Sequence, residues 1–223
     1  MLLAAAILIE LFTSQGCSSC PPADRVLAQL DQQPVPGIEF LVLSQHVDYW
    51  NRLGWKDPYS SSALTTRQQN YGRRFALDSV YTPQVVVHGQ AQLVGNDGRR
   101  IAALAGEFAR QPQTPLALTH LSRSGGRLRG QVQVVIPKNA ALYAALAADP
   151  APTAVPRGEN SGRQLTHVAV VRQLVRLDPS GAFDLPDSPE TTRLIVFLQA
   201  PNQGPILGAT RAKLSEIPLD YLQ

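Results

Sequence analysis

Short apolar runs separated by segments of helical period fill the first half of the chain, and apolar–polar alternation takes over in the second. Residues 5–13 carry the run Ile7 to Phe12 and end in Thr13-Ser14-Gln15-Gly16, which predicts a buried first strand leading into a loop. Ala23, Val26, Leu27 and Leu30 recur at helical spacing, and Pro34-Val35-Pro36-Gly37 ends that helix. Phe40 to Ser44 predicts a second buried strand. Residues 58–78 read as a helical excursion, with Leu64, Tyr71 and Phe75 on one face and N-caps available from Ser60 to Ser62. Val85-Val86-Val87-His88 and Gln92-Leu93-Val94 predict a hairpin about Gly89-Gln90. Asn96-Asp97 caps a last helix whose Ile101, Leu104, Ala105 and Phe108 share a face.

The predicted order is β-α-β-α-β-β-α. A β-α-β unit followed by a hairpin and a helix is the thioredoxin pattern, so residues 1–112 are read as a thioredoxin-like domain. Pro112 to Pro115 reads as a linker. Beyond it Leu128, Gly130, Val132, Val134 and Ile136 alternate with Arg127, Arg129, Gln131 and Gln133, a half-buried strand at period two. Further strands are predicted at 116–121, 141–147, 165–177, 193–199 and 206–210, although the Ala-rich stretch 140–148 also fits a helix. The fold class expected is therefore α/β, with an appended antiparallel β-sandwich-like domain over 116–223.

Composition narrows the function classes. With 44% hydrophobic and 17% charged residues, the 223-residue chain has ample material for a packed core. The net charge of +3 is dispersed, without a Lys/Arg run or interleaved aromatics, which argues against nucleic acid as a partner. No apolar stretch reaches the ~20 residues of a membrane span. The apolar start lacks a basic leader and is interrupted by Glu10, so it reads as the first strand and not as an export signal.

Two cysteines make one site or none. Gly16-Cys17-Ser18-Ser19-Cys20-Pro21-Pro22 lies between a strand and a helix, where thiols two residues apart can close into a disulfide. Unpaired N–H groups and the helix dipole favour a thiolate on Cys17, so Cys17 is the expected attacking and more exposed sulfur, and Cys20 the resolving one. The prolines fit the first helical turn, whose N–H groups have no intrahelical partner. A zinc site would need a second pair of ligands, and the His residues are scattered at 46, 88, 120 and 167. A copper(I) site using Cys17, Cys20 and His46 stays open as an alternative, because soft thiolates suit that ion.

Three further groups are candidates. Thr82-Pro83 precedes the hairpin strand, where a cis-proline would hold an edge beside the sulfurs. His46-Val47-Asp48-Tyr49-Trp50-Asn51 follows the second strand, at the sheet edge that also carries the CxxC. There His46 is placed to tune Cys17, and Trp50 to floor a cleft. Glu10 is either a buried proton acceptor for Cys20 or an exposed carboxylate. The loop Arg157-Gly158-Glu159-Asn160-Ser161-Gly162-Arg163 gathers charge between glycines. It is expected near the rim of the CxxC cleft, with Arg157 and Arg163 as substrate contacts.

Glu10 to Asp24, His46 to Trp50 with Leu53-Gly54-Trp55-Lys56-Asp57-Pro58, Tyr81 to Gln84, and Arg157 to His167 together resemble one family. It is the secreted bacterial thioredoxin-like family catalogued as domain of unknown function twelve-twenty-three. The resemblance implies a thioredoxin-like fold with an appended β domain, and export to the periplasm or beyond. The function expected is a monomeric, cofactor-free thiol–disulfide oxidoreductase acting on the thiols or disulfides of proteins. The alternatives are copper(I) handling, or a binding module with a vestigial CxxC.

Overall fold

A computed structural model describes residues 4–217. The first strand, β1 (Ala5–Thr13), is apolar and buried from Ala6 onward on both faces, so it takes the middle of a sheet. It pairs in parallel with β2 (Ile38–His46), reached through helix α1 (Pro21–Gln32). On its other side it pairs antiparallel with β3 (Gln84–Val87), which turns back into β4 (Ala91–Val94). Helix α2 (Ser62–Arg74) lies between β2 and β3 within the expected excursion, capped by Ser61. Helix α3 (Gly98–Phe108) follows the hairpin, and Asp97 caps it through Arg100 N–H.

The second half does not stand beside this sheet; it extends it. The described strands after residue 112 are β5 (Ala117–Ser124), β6 (Arg127–Gln133), β7 (Ala141–Ala148), β8 (Thr153–Ala154), β9 (Gln164–Leu165), β10 (Val170–Arg176), β11 (Ala182–Pro186), β12 (Thr191–Gln199) and β13 (Ile206–Lys213). One eight-stranded mixed sheet runs in the order β13-β12-β7-β10-β2-β1-β3-β4. The two halves meet where Val170 of β10 pairs in parallel with Ser44 of β2, and Ser44 N–H donates to the Ala169 carbonyl at 2.9 Å. The chain is thus mixed α/β, with a large mixed sheet and few helices.

Alternation explains why 141–148 is a strand and not the helix its alanines also allowed. Leu142, Ala144 and Leu146 face one apolar cluster and Ala145 and Ala147 the other. The neighbouring β12 divides in the same way, Leu194, Val196 and Leu198 against Ile195 and Phe197. A strand buried on both faces has no polar side, so periodicity could not separate it from a buried helix. The second cluster is closed by the three-stranded sheet β11-β6-β5, through Leu128, Val132, Phe183 and Leu185. The predicted strand 165–177 is divided by residues 166–169, which leave the ladder and carry His167. Strand β11 was not foreseen.

A buried polar knot ties the halves together. Arg67 of α2 donates from Nε to Glu10 Oε1 at 2.6 Å, and from a guanidinium NH2 group to Tyr71 and to Gln199 of β12. Tyr71 donates to Glu10 Oε2 and Gln45 Nε2 to Oε1. The guanidinium also lies over the rings of Tyr71, Tyr143 and Phe197. Glu10 is therefore neither exposed nor a partner of the cysteines. Its charge is taken up by Arg67, and removing one member of such a buried pair typically costs about 3–5 kcal/mol.

His88 closes the β3–β4 turn with φ of 51° and accepts the Leu8 N–H on Nδ1 at 3.2 Å. Its carbonyl accepts the Ile206 N–H from the other half. Burial pushes its pKa from 6.5 down to about 4. The unfolded chain protonates first, so the neutral ring supports the fold fully above pH 6.5 and progressively less as pH falls toward 4. His88→Asn keeps an acceptor and tolerates the positive φ. The stability advantage of the parent over this variant should shrink between pH 6.5 and 4, by about 3 kcal/mol at most; urea titrations across that range measure it, and a constant gap contradicts the assignment.

Candidate functional site

At the C-terminal end of β1 the chain turns tightly. Ser14 Oγ accepts the Gly16 N–H, the Ser14 carbonyl accepts Cys17 N–H, and the Cys17 carbonyl accepts Cys20 N–H. Gly16 allows this by close approach: a Cβ there would lie 3.0 Å from the Trp50 Cβ. Cys20 is the N-cap of α1, with Pro21 and Pro22 in the first helical positions. Cys17 therefore sits a turn ahead of the helix and not within its first turn. The two cysteines form a disulfide with Cα atoms 5.4 Å apart.

Neither cysteine has any exposed surface, which corrects the expectation of an accessible Cys17; Ser18 and Ser19 face outward instead. The loop 157–163 lies against this turn. Glu159 accepts from Ser18 N–H at 3.0 Å and from Ser18 Oγ at 2.8 Å. Asn160 is fully buried, and its amide donates to the carbonyls of Gln15 and Cys17. Gly158 has φ of +80°, and a Cβ there would lie 3.3 Å from the Trp55 Cβ. The loop reaches the CxxC turn, but Glu159 and Asn160 make the contacts. Arg157 is exposed, and Arg163 braces Asn160 Oδ1 at 3.0 Å.

Two tryptophans flank the turn. Trp50 packs on Gly16 and donates to Thr82 Oγ1 at 2.8 Å. Trp55 donates to Gln15 Oε1 at 3.0 Å. The Thr82–Pro83 bond is cis, the isomer expected, and Pro83 is buried.

Behind the turn lies a buried polar cluster. His46, at the end of β2, contacts Asp57 Oδ2 through Nδ1 at 2.7 Å, and Gln15 N–H donates to the same oxygen at 2.8 Å. Burial works against the Asp57 charge, but the His46 ring and the N–H groups of Gln15 and Tyr59 outweigh it and hold the carboxyl below its ordinary range. The His167 ring stands edge-on to His46, centroids 4.6 Å apart, with Asp24 of α1 at 3.6 Å from its Nδ1. His46 Nε2 and His167 Nδ1 are buried without a hydrogen-bond partner.

His46 thus points its known bond at Asp57, and no hydrogen bond joins it to a cysteine. Among the described residues no group of three or more His, Cys, Asp or Glu is placed to hold a metal ion. Sequence reasoning missed Asp24, Asp57, Glu159 and Asn160 as partners of the turn. All four lay inside segments singled out as motifs, yet only the fold tells which member of a motif faces inward.

The family model described as "Protein of unknown function (DUF1223)" matches residues 8–199. The chain belongs to this family. A crystal structure of a protein from Agrobacterium tumefaciens superposes with a TM-score of 0.75 at 27% identity, covering 98% of this chain and 99% of that one. HBP35 of Porphyromonas gingivalis superposes with a TM-score of 0.67 at 14% identity, over 99% of this chain and 79% of its own, a likeness of fold alone. No curated protein matches the sequence.

The Glu159–Ser18 contact has a pH signature. Hydrogen bonds from the backbone and side chain of Ser18 hold the Glu159 carboxyl below its ordinary value of 4.5, so the contact is at full strength above that value and is lost as pH falls through the lowered one. Glu159→Gln should let a phosphine reductant reach the disulfide about two- to fivefold faster at neutral pH, as expected for an exposed, modest contact. The parent and variant rates should converge as pH falls through the lowered Glu159 value, where the carboxyl becomes neutral. Stopped-flow reduction measures this, and equal rates at neutral pH would show that the loop does not guard the sulfurs.

Proposed function

We propose that this protein is a thiol–disulfide oxidoreductase of thioredoxin-like architecture, working outside the cytoplasm on protein cysteines. The observation that carries the reading is the Cys17–Cys20 disulfide, closed across a turn at a strand end and capping a helix start. The β1-α1-β2 unit followed by the β3–β4 hairpin and α3 supports the thioredoxin-like reading of the first half. The three-stranded sheet packed over β7 and β12 supports a sandwich-like arrangement in the second. A disulfide persists most readily in an oxidising compartment, which supports an extracytoplasmic location. No described helix is long and apolar enough to cross a membrane.

In the proposed reaction a substrate thiolate attacks Cys17 Sγ, the Cys17–Cys20 bond breaks, and its electron pair leaves on Cys20. A second substrate thiolate then attacks the mixed disulfide, so the substrate dithiol is oxidised and the pair reduced; the reverse sequence reduces a substrate disulfide. Because both sulfurs are covered, the loop 157–163 must swing aside for a protein substrate to enter. Trp50, Trp55 and the backbone beside Thr82 then form the walls that meet it.

Cys20→Ser leaves Cys17 able to attack but removes the thiol that resolves the adduct. It should accumulate mixed disulfides with protein partners that dithiothreitol releases, whereas Cys17→Ser should accumulate few. Non-reducing electrophoresis followed by mass spectrometry reads the outcome. Equal trapping by both variants would reverse the roles, and none by either would leave the disulfide as a structural staple.

A further inference from the structure

Strand β10 is interior to the sheet for one register position and an edge for the rest. Its parallel pairing with β2 is confined to Val170 and Ser44, because β2 ends two residues later at His46. From there β10 runs on to Arg176 with β7 at one side. The Leu177 N–H donates to the Leu142 carbonyl at 2.8 Å, which fixes the phase of that ladder. Hydrogen-bonded pairs alternate along an antiparallel ladder, so Gln173 and Val175 also turn their N–H and C=O groups toward β7. Leu174 and Arg176 turn theirs away from it. Among the described residues no backbone bond is made to these outward groups.

The outward edge faces a groove whose other wall is α2. At the start of α2 a cleft of about 420 Å³ lies between Ser60, Ser61 and Ala63 on one side and Arg172 and Leu174 on the other. At the end of α2 a second cleft, of about 590 Å³, is lined by Asn70, Arg73, Arg74 and Tyr143. Ala63, Asn70 and Arg74 are spaced seven and four residues apart, so one face of the helix looks onto both clefts. On the sheet side Leu174 and Tyr143 pack against the same apolar cluster, and Arg176 stands across the ladder from Tyr143. The 13 residues of α2 span about 20 Å, which an extended chain at ~3.3 Å per residue fills with about six residues.

The groove is basic. Arg73, Arg74, Arg172 and Arg176 are exposed along it, and neither cleft has an aspartate or glutamate in its lining among the described residues. Arg172 lies over the Tyr59 ring, 5.3 Å from its centroid, and meets the exposed Glu190 at 3.7 Å. Arg73 donates to Asn70, and Arg74 lies over the Phe75 ring, so neither is spent on a carboxylate there. A strand edge bearing arginines also repels a second copy of itself, because pairing would bring like charges together. An acidic strand meets no such repulsion.

We propose that this groove takes an extended acidic segment of a partner protein, which adds as a strand to the free edge of β10 and sets its carboxylates against Arg172 and Arg176. The outward groups of Leu174 and Arg176 supply the main-chain hydrogen bonds, and the arginines select the partner by charge. Tyr59, at the near end of the groove, also packs edge-on against His46, so the docking site adjoins the cluster behind the cysteines. Its occupation does not depend on whether the disulfide exchanges.

Hydrogen exchange of the parent tests the edge without any variant. In the free protein the amides of Leu174 and Arg176 should exchange about tenfold or more faster than those of Gln173 and Val175. A saturating, end-blocked hexapeptide alternating glutamate and valine should slow them. The same peptide with every backbone N–H methylated keeps its charge but cannot lie in the ladder, and one alternating lysine and valine has the wrong charge; both should leave these amides fast. Arg172→Glu combined with Arg176→Glu should weaken binding of the glutamate peptide about tenfold. The proposal is overturned by Leu174 and Arg176 amides that are already slow in the free protein, by a glutamate peptide that leaves them fast, by equal protection from the methylated peptide, or by undiminished binding to the double variant. Protection that rises with the protein's own concentration would assign the edge to a second copy, and binding to phosphatidylglycerol vesicles in place of the peptide would assign the arginines to a membrane. Either result overturns it as well.

Discussion

The arrangement of the whole site depends on one short join, the parallel pairing of Val170 with Ser44. It is a single register position, yet it fuses strands from both halves into one sheet. Everything between β8 and β10 is thereby held near the C-terminal end of β2, where β1 also ends. His167 is brought against His46, and the loop 157–163 is laid over the turn that carries the cysteines. Without that join the loop would be an ordinary charged connection on a separate domain.

Two buried polar clusters follow from this geometry. Glu10, Arg67, Tyr71 and Gln199 are satisfied by one another and by Gln45 Nε2, and the Glu10 and Arg67 charges cancel among aromatic rings. Such a knot fixes the relative positions of β1, α2 and β12. The cluster behind the cysteines is built on the contact of His46 with Asp57, and His46 Nε2 and His167 Nδ1 are left without partners there, as Gln45 Oε1 is in the knot.

Much of the first half was legible in the sequence because its strands are short apolar runs and its helices are amphipathic. The bounds of β1, the hairpin and the Asp97 cap follow from the residues alone. The second half was legible as strands but not as part of the same sheet, since pairing between Ser44 and Val170 leaves no local signal. For the same reason the site was only half readable. Cys17, Cys20 and Trp50 announce themselves by type and spacing, and the loop 157–163 by its glycines and charges. Which of its residues touch the turn was not readable: the arginines attract attention, but the shorter Glu159 and Asn160 reach its backbone. Glu10 was misplaced because a carboxylate on a strand gives no hint of an arginine 57 residues further on.

The central claim is that Cys17 and Cys20 form a reversible redox couple and not a permanent staple. Equilibration of the protein in glutathione buffers of graded potential, followed by acid quenching, thiol alkylation and mass analysis, tests it most directly. The account predicts a single two-electron transition between about −270 and −120 mV, the range of exchange-active sites. A disulfide that stays closed in every buffer, with a potential below about −300 mV, would contradict it.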